Sequence, residues 1–131
     1  MREGLSRNEW ILMEAFWDKQ PMFLSDVMDV LKDDLHWSRN TYQTYLKRLC
    51  DKGYISYKEV RGSYSYYPLA TRETCVQQES RQMITKMKSD SAKLFLACMV
   101  QDSGLDKESK DSLKQLIENL SAEEAVKGGL E

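Results

Sequence analysis

Asn40, Gln43, Thr44 and Lys47 follow i, i+3, i+4, i+7 spacing and carry the most specific chemistry in this chain. On a helix that spacing gathers all four on one face. Amide side chains there can bond bidentately to adenine, a threonine can meet a thymine methyl, and lysine or arginine can reach guanine or phosphate. An ordinary solvated helix face mixes acids with bases, whereas this one carries almost no acid. The opposite stripe, Tyr42, Tyr45, Leu46 and Leu49, repeats the same spacing with apolar residues suited to a core. Two readings stay open for the polar stripe alone: a face that reads nucleic acid, and a solvated surface.

The flanking residues say how such a face would be held. Ser38 is a good N-cap, and Gly53 sits where the helix would stop in the left-handed conformation. Tyr54-Ile-Ser-Tyr-Lys-Glu-Val has strand character, Arg61-Gly62-Ser63 is a turn, and Tyr64-Ser-Tyr-Tyr-Pro68 is a second strand. A polar helix followed by a hairpin with a basic tip is the organisation of a winged helix-turn-helix. Between His36 and Tyr64 stand Arg39, Lys47, Arg48, Lys52, Lys58 and Arg61 against only Asp51 and Glu59, a local +4 in a chain of net charge −2. A basic patch on a mildly acidic protein is the electrostatic footprint expected of a DNA reader.

The remaining elements complete the pattern. Ser6 and Glu9 form a capping box for a helix running to about Asp18, with Trp10, Met13, Phe16 and Trp17 as core candidates. Gln20-Pro21 ends it. Met22-Phe23-Leu24 is a short strand that could close against the wing. Ser25 caps a helix from Asp26 to about Leu35 with Val27, Val30 and Leu31 inward. Beyond Ala70-Thr71 come three more helices: Thr71 with Glu73 and Thr74 to about Lys88, Ser89 to Val100, and one capped by Asp106. The stripe Leu94, Phe95, Cys98, Met99 and the stripe Leu113, Leu116, Ile117, Leu120 need partners. These helices are too thin for a core of their own, so a two-fold dimer interface is favoured over packing back on the N-terminal domain. The predicted fold is mainly α with a small β wing. It comprises a winged helix-turn-helix DNA-binding domain over 1–70, a C-terminal helical dimerisation region over 71–120, and a disordered tail over 121–131.

Composition narrows the function. With 131 residues, 41% hydrophobic and 31% charged, the chain supports one small domain and an appendage. It has no apolar run near membrane-spanning length and no leader-like N-terminus, so membrane insertion is not expected. Cys50, Cys75 and Cys98 are odd in number and follow no ligand spacing, which points to free buried thiols in a reducing cytoplasm. A single histidine, no phosphate-binding glycine loop and no carboxylate pair argue against an enzyme, a metal site or a cofactor.

In combination, the residues resemble a known family. Leu5-Ser6-x-x-Glu9-Trp10-x-x-Met13-x-x-x-Trp17-Asp18 resembles the opening of the penicillinase-repressor family. Trp37-Ser38-x-x-Thr41-x-x-Thr44-x-x-x-Arg48-Leu49-x-x-Lys52-Gly53-Tyr54-Ile55 resembles its recognition helix, and Arg61-Gly62-x-x-Tyr66-Tyr67-Pro68-Leu69 its wing. The resemblance covers about residues 5 to 120 and implies a homodimeric winged-helix repressor on a palindromic double-stranded DNA operator. By position it puts Trp37, Thr41, Thr44 and Arg48 at the DNA surface. Arg39, Asn40 and Gln43 depart from the proline, lysine and arginine usual there, so the operator would differ, with A·T favoured at the amides.

The antibiotic-responsive members are released by cleavage in the dimerisation region, downstream of a membrane sensor protease. Leu94-Phe95-Leu96-Ala97-Cys98-Met99 is the resembling stretch, with Ala97-Cys98 at the scissile position but without the Asn-Phe pair of some relatives. The paired C-terminal cysteines of copper-responsive members are absent from the sequence. The DNA-facing set is thus Trp37, Arg39, Asn40, Thr41, Gln43, Thr44, Lys47, Arg48 and Arg61. Against it stand packing for Trp37 and ion pairing of Arg48 with Asp51 or Asp33. Alternative functions are a small-molecule-responsive winged-helix regulator and a winged-helix protein-interaction module that binds no DNA.

Overall fold

The computed structural model describes residues 2–102 and 104–130, with side chains to residue 120. The elements are α1 (Arg7–Asp18), β1 (Met22–Phe23), α2 (Leu24–Leu31), α3 (Arg39–Asp51), β2 (Ile55–Val60), β3 (Ser63–Pro68), α4 (Arg72–Thr85), α5 (Ser89–Asp102) and α6 (Lys107–Leu130). They form two compact units, Met1–Met83 and Ile84–Glu131.

In the first unit α1 begins as its sequence predicts. Ser6 Oγ accepts from the Glu9 N–H at 3.3 Å, and Glu9 Oε1 accepts from the Ser6 N–H at 2.8 Å. Leu12, Met13, Ala15 and Phe16 are buried. The short strand does close the wing: β1 pairs antiparallel with β3, Met22 opposite Tyr66, in a sheet ordered β1-β3-β2.

Three local expectations around α2 change. The Asp26 carboxylate accepts from the Phe23 N–H at 3.0 Å, so Asp26 and not Ser25 caps the helix, and Leu24 already belongs to it. The helix ends at Leu31, because the N–H groups of Asp34 and Leu35 both turn back to the Leu31 carbonyl. Val30 is 41% exposed, since a helix of only eight residues buries a narrow stripe, here Val27 and Leu31.

Tyr42, Leu46 and Leu49 of α3 enter the core. Tyr45 lies at the edge of that stripe and stacks on Trp37, with ring centroids 4.4 Å apart. Gly53, at φ +83°, ends the helix, and the Tyr54 N–H returns to the Leu49 carbonyl. The hairpin turn is shorter than expected. Val60 pairs with Ser63, leaving a two-residue loop in which Arg61 and Gly62 have φ of +53° and +79°. Two positive φ values are the mark of a type I′ turn, whose twist matches that of the strands.

The first unit continues past the boundary expected at residue 70. Cys75 of α4 joins the buried cluster, and Trp17 Nε1 donates to the Ala70 carbonyl at 2.9 Å. Arg72 pairs with Asp18 at 2.9 Å and Glu14 at 3.1 Å.

One ionic contact lies inside this unit. Glu9 is 1% exposed, and its Oε1 lies 2.8 Å from Lys52 Nζ, which also donates to the Gly4 carbonyl at 3.0 Å. Burial alone would raise the Glu9 pKa, but the bonds from Lys52 and Ser6 outweigh it and hold the carboxyl below its ordinary value.

In the second unit, Asp106 caps α6 through the Ser109 N–H at 2.8 Å. No described side chain of α5 or α6 is buried. The predicted tail, 121–131, lies outside the described side chains, while the assigned backbone of α6 runs to Leu130.

These contacts and the hairpin turn generate three stability predictions. Lys52→Met strands a buried carboxylate and should cost about 3 kcal/mol or more in urea unfolding. Because the folded pKa of Glu9 is depressed, its contribution is present above about pH 4.5 and is lost as pH falls through the folded value. Glu9→Gln should therefore flatten the acid limb of the stability–pH curve. Arg61→Asn, which tolerates positive φ, should stabilise the first unit by about 1 kcal/mol, read as a rise in melting temperature.

Candidate nucleic-acid interface

The helical spacing of α3 divides its outer surface into a centre and two edges. Asn40, Thr44 and Lys47 form the centre, and all three are exposed. The Thr44 hydroxyl donates to the Asn40 carbonyl at 3.0 Å. Asp51, one turn beyond Lys47 at the end of the helix, is the single acid of this stripe.

One edge borders the wing. Arg39 and Gln43 line an open cleft of about 230 Å³ with Ser25 at the start of α2 and Gly62, Ser63, Tyr64 and Tyr66 of the hairpin. Tyr57, Tyr64 and Tyr66 stand on one face of the hairpin by strand alternation, with the Tyr57 and Tyr64 centroids 4.3 Å apart. Tyr57 and Tyr64 are 45% and 48% exposed. Burial, and then neighbouring Cys50, Tyr57 and Tyr64, push the Tyr66 pKa up, which keeps its phenol a hydrogen-bond donor. Lys58 lies on the other face, over the Tyr67 ring. Arg61 is exposed at the tip.

The other edge is a stack. Trp37 lies on Tyr45, and the Arg48 guanidinium sits over the Tyr45 ring, 4.8 Å from its centroid. Arg48 thus makes a cation–π contact in place of the ion pairs with Asp51 or Asp33 weighed from sequence. Trp37 is half-buried, packed and still partly open. Thr41 is half-buried, and its hydroxyl lies 3.0 Å from the N-cap hydroxyl of Ser38, so it serves the helix start.

Most of the predicted set therefore falls on one connected surface: Arg39, Asn40, Gln43, Thr44, Lys47 and Arg48 on α3, with Arg61 at the wing tip. Lys52 leaves the basic patch, because Glu9 takes its charge. Ser25 and Tyr64 were not among the predicted residues. The sequence marks Tyr64 only as part of the second wing strand, and Ser25 only as a helix cap.

In the second unit, Leu94, Met99, Leu116, Ile117 and Leu120 are 65%, 55%, 54%, 60% and 53% exposed. Phe95 and Leu113 are half-buried and Cys98 is exposed. So large an apolar surface on two helices is far from ordinary surface composition. No helix of the described residues is long and apolar enough to cross a membrane.

Comparison with known proteins agrees with this geometry. The penicillinase repressor family model matches residues 5–119. The methicillin resistance regulatory protein MecI of Mammaliicoccus sciuri is 22% identical over 113 residues, which is 86% of this chain and 92% of that protein. MecI of Staphylococcus aureus strain N315 matches at the same 22% over 113 residues. The solution structure of the DNA binding domain of the repressor BlaI aligns with a TM-score of 0.50 at 25% identity, over 56% of this chain and 93% of that structure. These matches identify the first unit as a winged helix and the family as one of transcriptional repressors, not enzymes. Its helix order, its wing and a match from residue 5 to residue 119 agree: the chain belongs to the penicillinase repressor family.

Proposed function

We propose that this chain represses transcription in the cytoplasm as a homodimer bound to a double-stranded DNA operator of two-fold symmetry. The observation that carries the reading is the exposed, acid-poor centre of α3, Asn40, Thr44 and Lys47, flanked by Arg39, Gln43 and Arg48. The names of its relatives, a methicillin resistance regulator and a repressor with a DNA binding domain, support it.

In this reading two α3 helices enter successive major grooves about 34 Å apart. Asn40 and Gln43 suit adenine edges and Thr44 offers its methyl to thymine. Lys47, Arg48 and Trp37 set the register on phosphates, with Arg39 and Tyr64 following the backbone along the cleft and Arg61 at the wing tip. Leu94, Phe95, Cys98, Met99, Leu113, Leu116, Ile117 and Leu120 form the dimer interface. Linking two weak half-site readers raises the effective concentration of the second, so loss of the dimer releases DNA without any change in α3.

Cleavage at Ala97-Cys98, downstream of a membrane sensor protease, would be one such release. Both residues are exposed within α5. A helix with no buried side chain in the single chain opens at little cost whenever the dimer separates, which suits a protease that needs an extended substrate.

Fluorescence anisotropy against selected palindromes and shuffled controls, over a salt series, tests the reading. A palindrome should bind about a hundredfold tighter or more, with a steep salt dependence. Arg48→Ala should lower the salt slope by about 0.9, while Gln43→Ala should relax one base pair at about 1–3 kcal/mol with the slope unchanged. Equal, weak binding of both pools would instead favour a protein-interaction module. Ile117→Glu should convert a dimer to a monomer in sedimentation and weaken the palindrome far more than a single half-site; a variant that stays dimeric would refute that interface.

A further inference from the structure

Tyr54 meets α4 at two places. Its backbone carbonyl accepts from the N–H groups of Leu69 at 2.8 Å and Ala70 at 3.4 Å, just before α4 starts. Its phenol, only 1% exposed, accepts from Gln78 Nε2 at 2.9 Å within α4 and donates to the Glu3 carbonyl. The first attachment precedes α4, and the second lies six residues beyond its first residue, Arg72, about 9 Å of rise along the helix. The buried Cys75 and the ion pairs of Arg72 hold the first turn of α4, and the bond at Gln78 adds a second point further along that fixes the direction of the axis.

The same residue is tied to the reading helix. Tyr54 follows Gly53, the left-handed stop of α3, and its N–H returns to Leu49. Arg2 braces the joint: Nε donates to the Gly53 carbonyl at 2.9 Å, its guanidinium stands 5.7 Å from the Tyr54 ring centroid, and its carbonyl lies 3.4 Å from Gln78 Nε2. A core contact alone would need the ring but not this set of directional bonds. A phenylalanine would fill the space and lose both phenol bonds.

We infer that the Tyr54–Gln78 junction sets the direction in which α4 leaves the winged helix, and so determines the half-site spacing that the dimer accepts on DNA. The inference rests on the dimeric repressor reading, since α4 is the segment through which the chain continues into the second unit. Tyr54 and Gln78 are positioning residues in this role; neither contacts DNA.

The test uses the full chain and palindromes whose central spacer is one or two base pairs shorter or longer than optimal. Each added pair moves a half-site by about 3.4 Å and turns it by about a tenth of a helical turn. Wild-type affinity should fall about tenfold per base pair. Tyr54→Phe should fall about threefold or less over the same series, with its affinity for a single half-site kept within about twofold of wild type. Gln78→Leu, which keeps the phenol, should broaden the profile in the same way and serves if Tyr54→Phe folds poorly. Val27→Ala removes a buried group from α2 and should lower the melting temperature while leaving the profile sharp. A sharp profile in both junction variants overturns the inference, as does a broadened profile in Val27→Ala. If the wild type prefers no palindrome, it is the repressor reading that fails. If it prefers one but ignores spacing, only the inference does.

Discussion

The burial of the Glu9 carboxylate beside Lys52 is the constraint around which the first unit is arranged. A carboxylate at 1% exposure is tolerated only when its charge is met, and Lys52, the C-cap of α3, meets it. One oxygen also closes the capping box with Ser6, so the start of α1 and the end of α3 share a single acceptor. The second oxygen, Oε2, is buried with no partner, so the arrangement carries an electrostatic cost that the surrounding core must offset. Residues 2–4 are drawn in by the same joint, through Lys52 to the Gly4 carbonyl and Arg2 to the Gly53 carbonyl.

That arrangement has a consequence for the outer surface of α3. The helix is held from behind by Tyr42, Leu46 and Leu49, at its start by Ser38, and at its end by Gly53, Tyr54 and Lys52. None of these duties falls on Asn40, Gln43 or Lys47. Their exposed side chains can follow the demands of a ligand without cost to the fold. The wing is held likewise, by β1 at one edge and a type I′ turn at its tip. Arg61 accepts a positive φ there that a non-glycine residue adopts only at some expense.

The second unit follows a different rule. Its helices are defined by their caps and periodicity, yet no described side chain of α5 or α6 is buried. Apolar groups left in water contribute nothing to folding until something covers them. In the proposed dimer, association would cover them and couple the folding of this unit to its binding.

The sequence alone determined what depends on neighbours along the chain. The capping box at Ser6 and Glu9, the two faces of α3, the stop at Gly53 and the strands of the wing are set by residues within a few positions of one another, and all were legible. Motif spacing across the whole chain carried the family as well. Local signals misled where competing neighbours lay close together, as at Ser25 and Asp26, or where a short helix could bury less than its composition suggested, as at Val30. Tertiary structure decided everything that rests on residues distant in sequence. It assigned Lys52 to Glu9 rather than to the basic patch, gave Arg48 the Tyr45 ring, and joined Tyr54 to Gln78. Helical and strand periods are short-range properties of the backbone, whereas the partner of a charge or a phenol is whatever the fold brings within hydrogen-bonding distance.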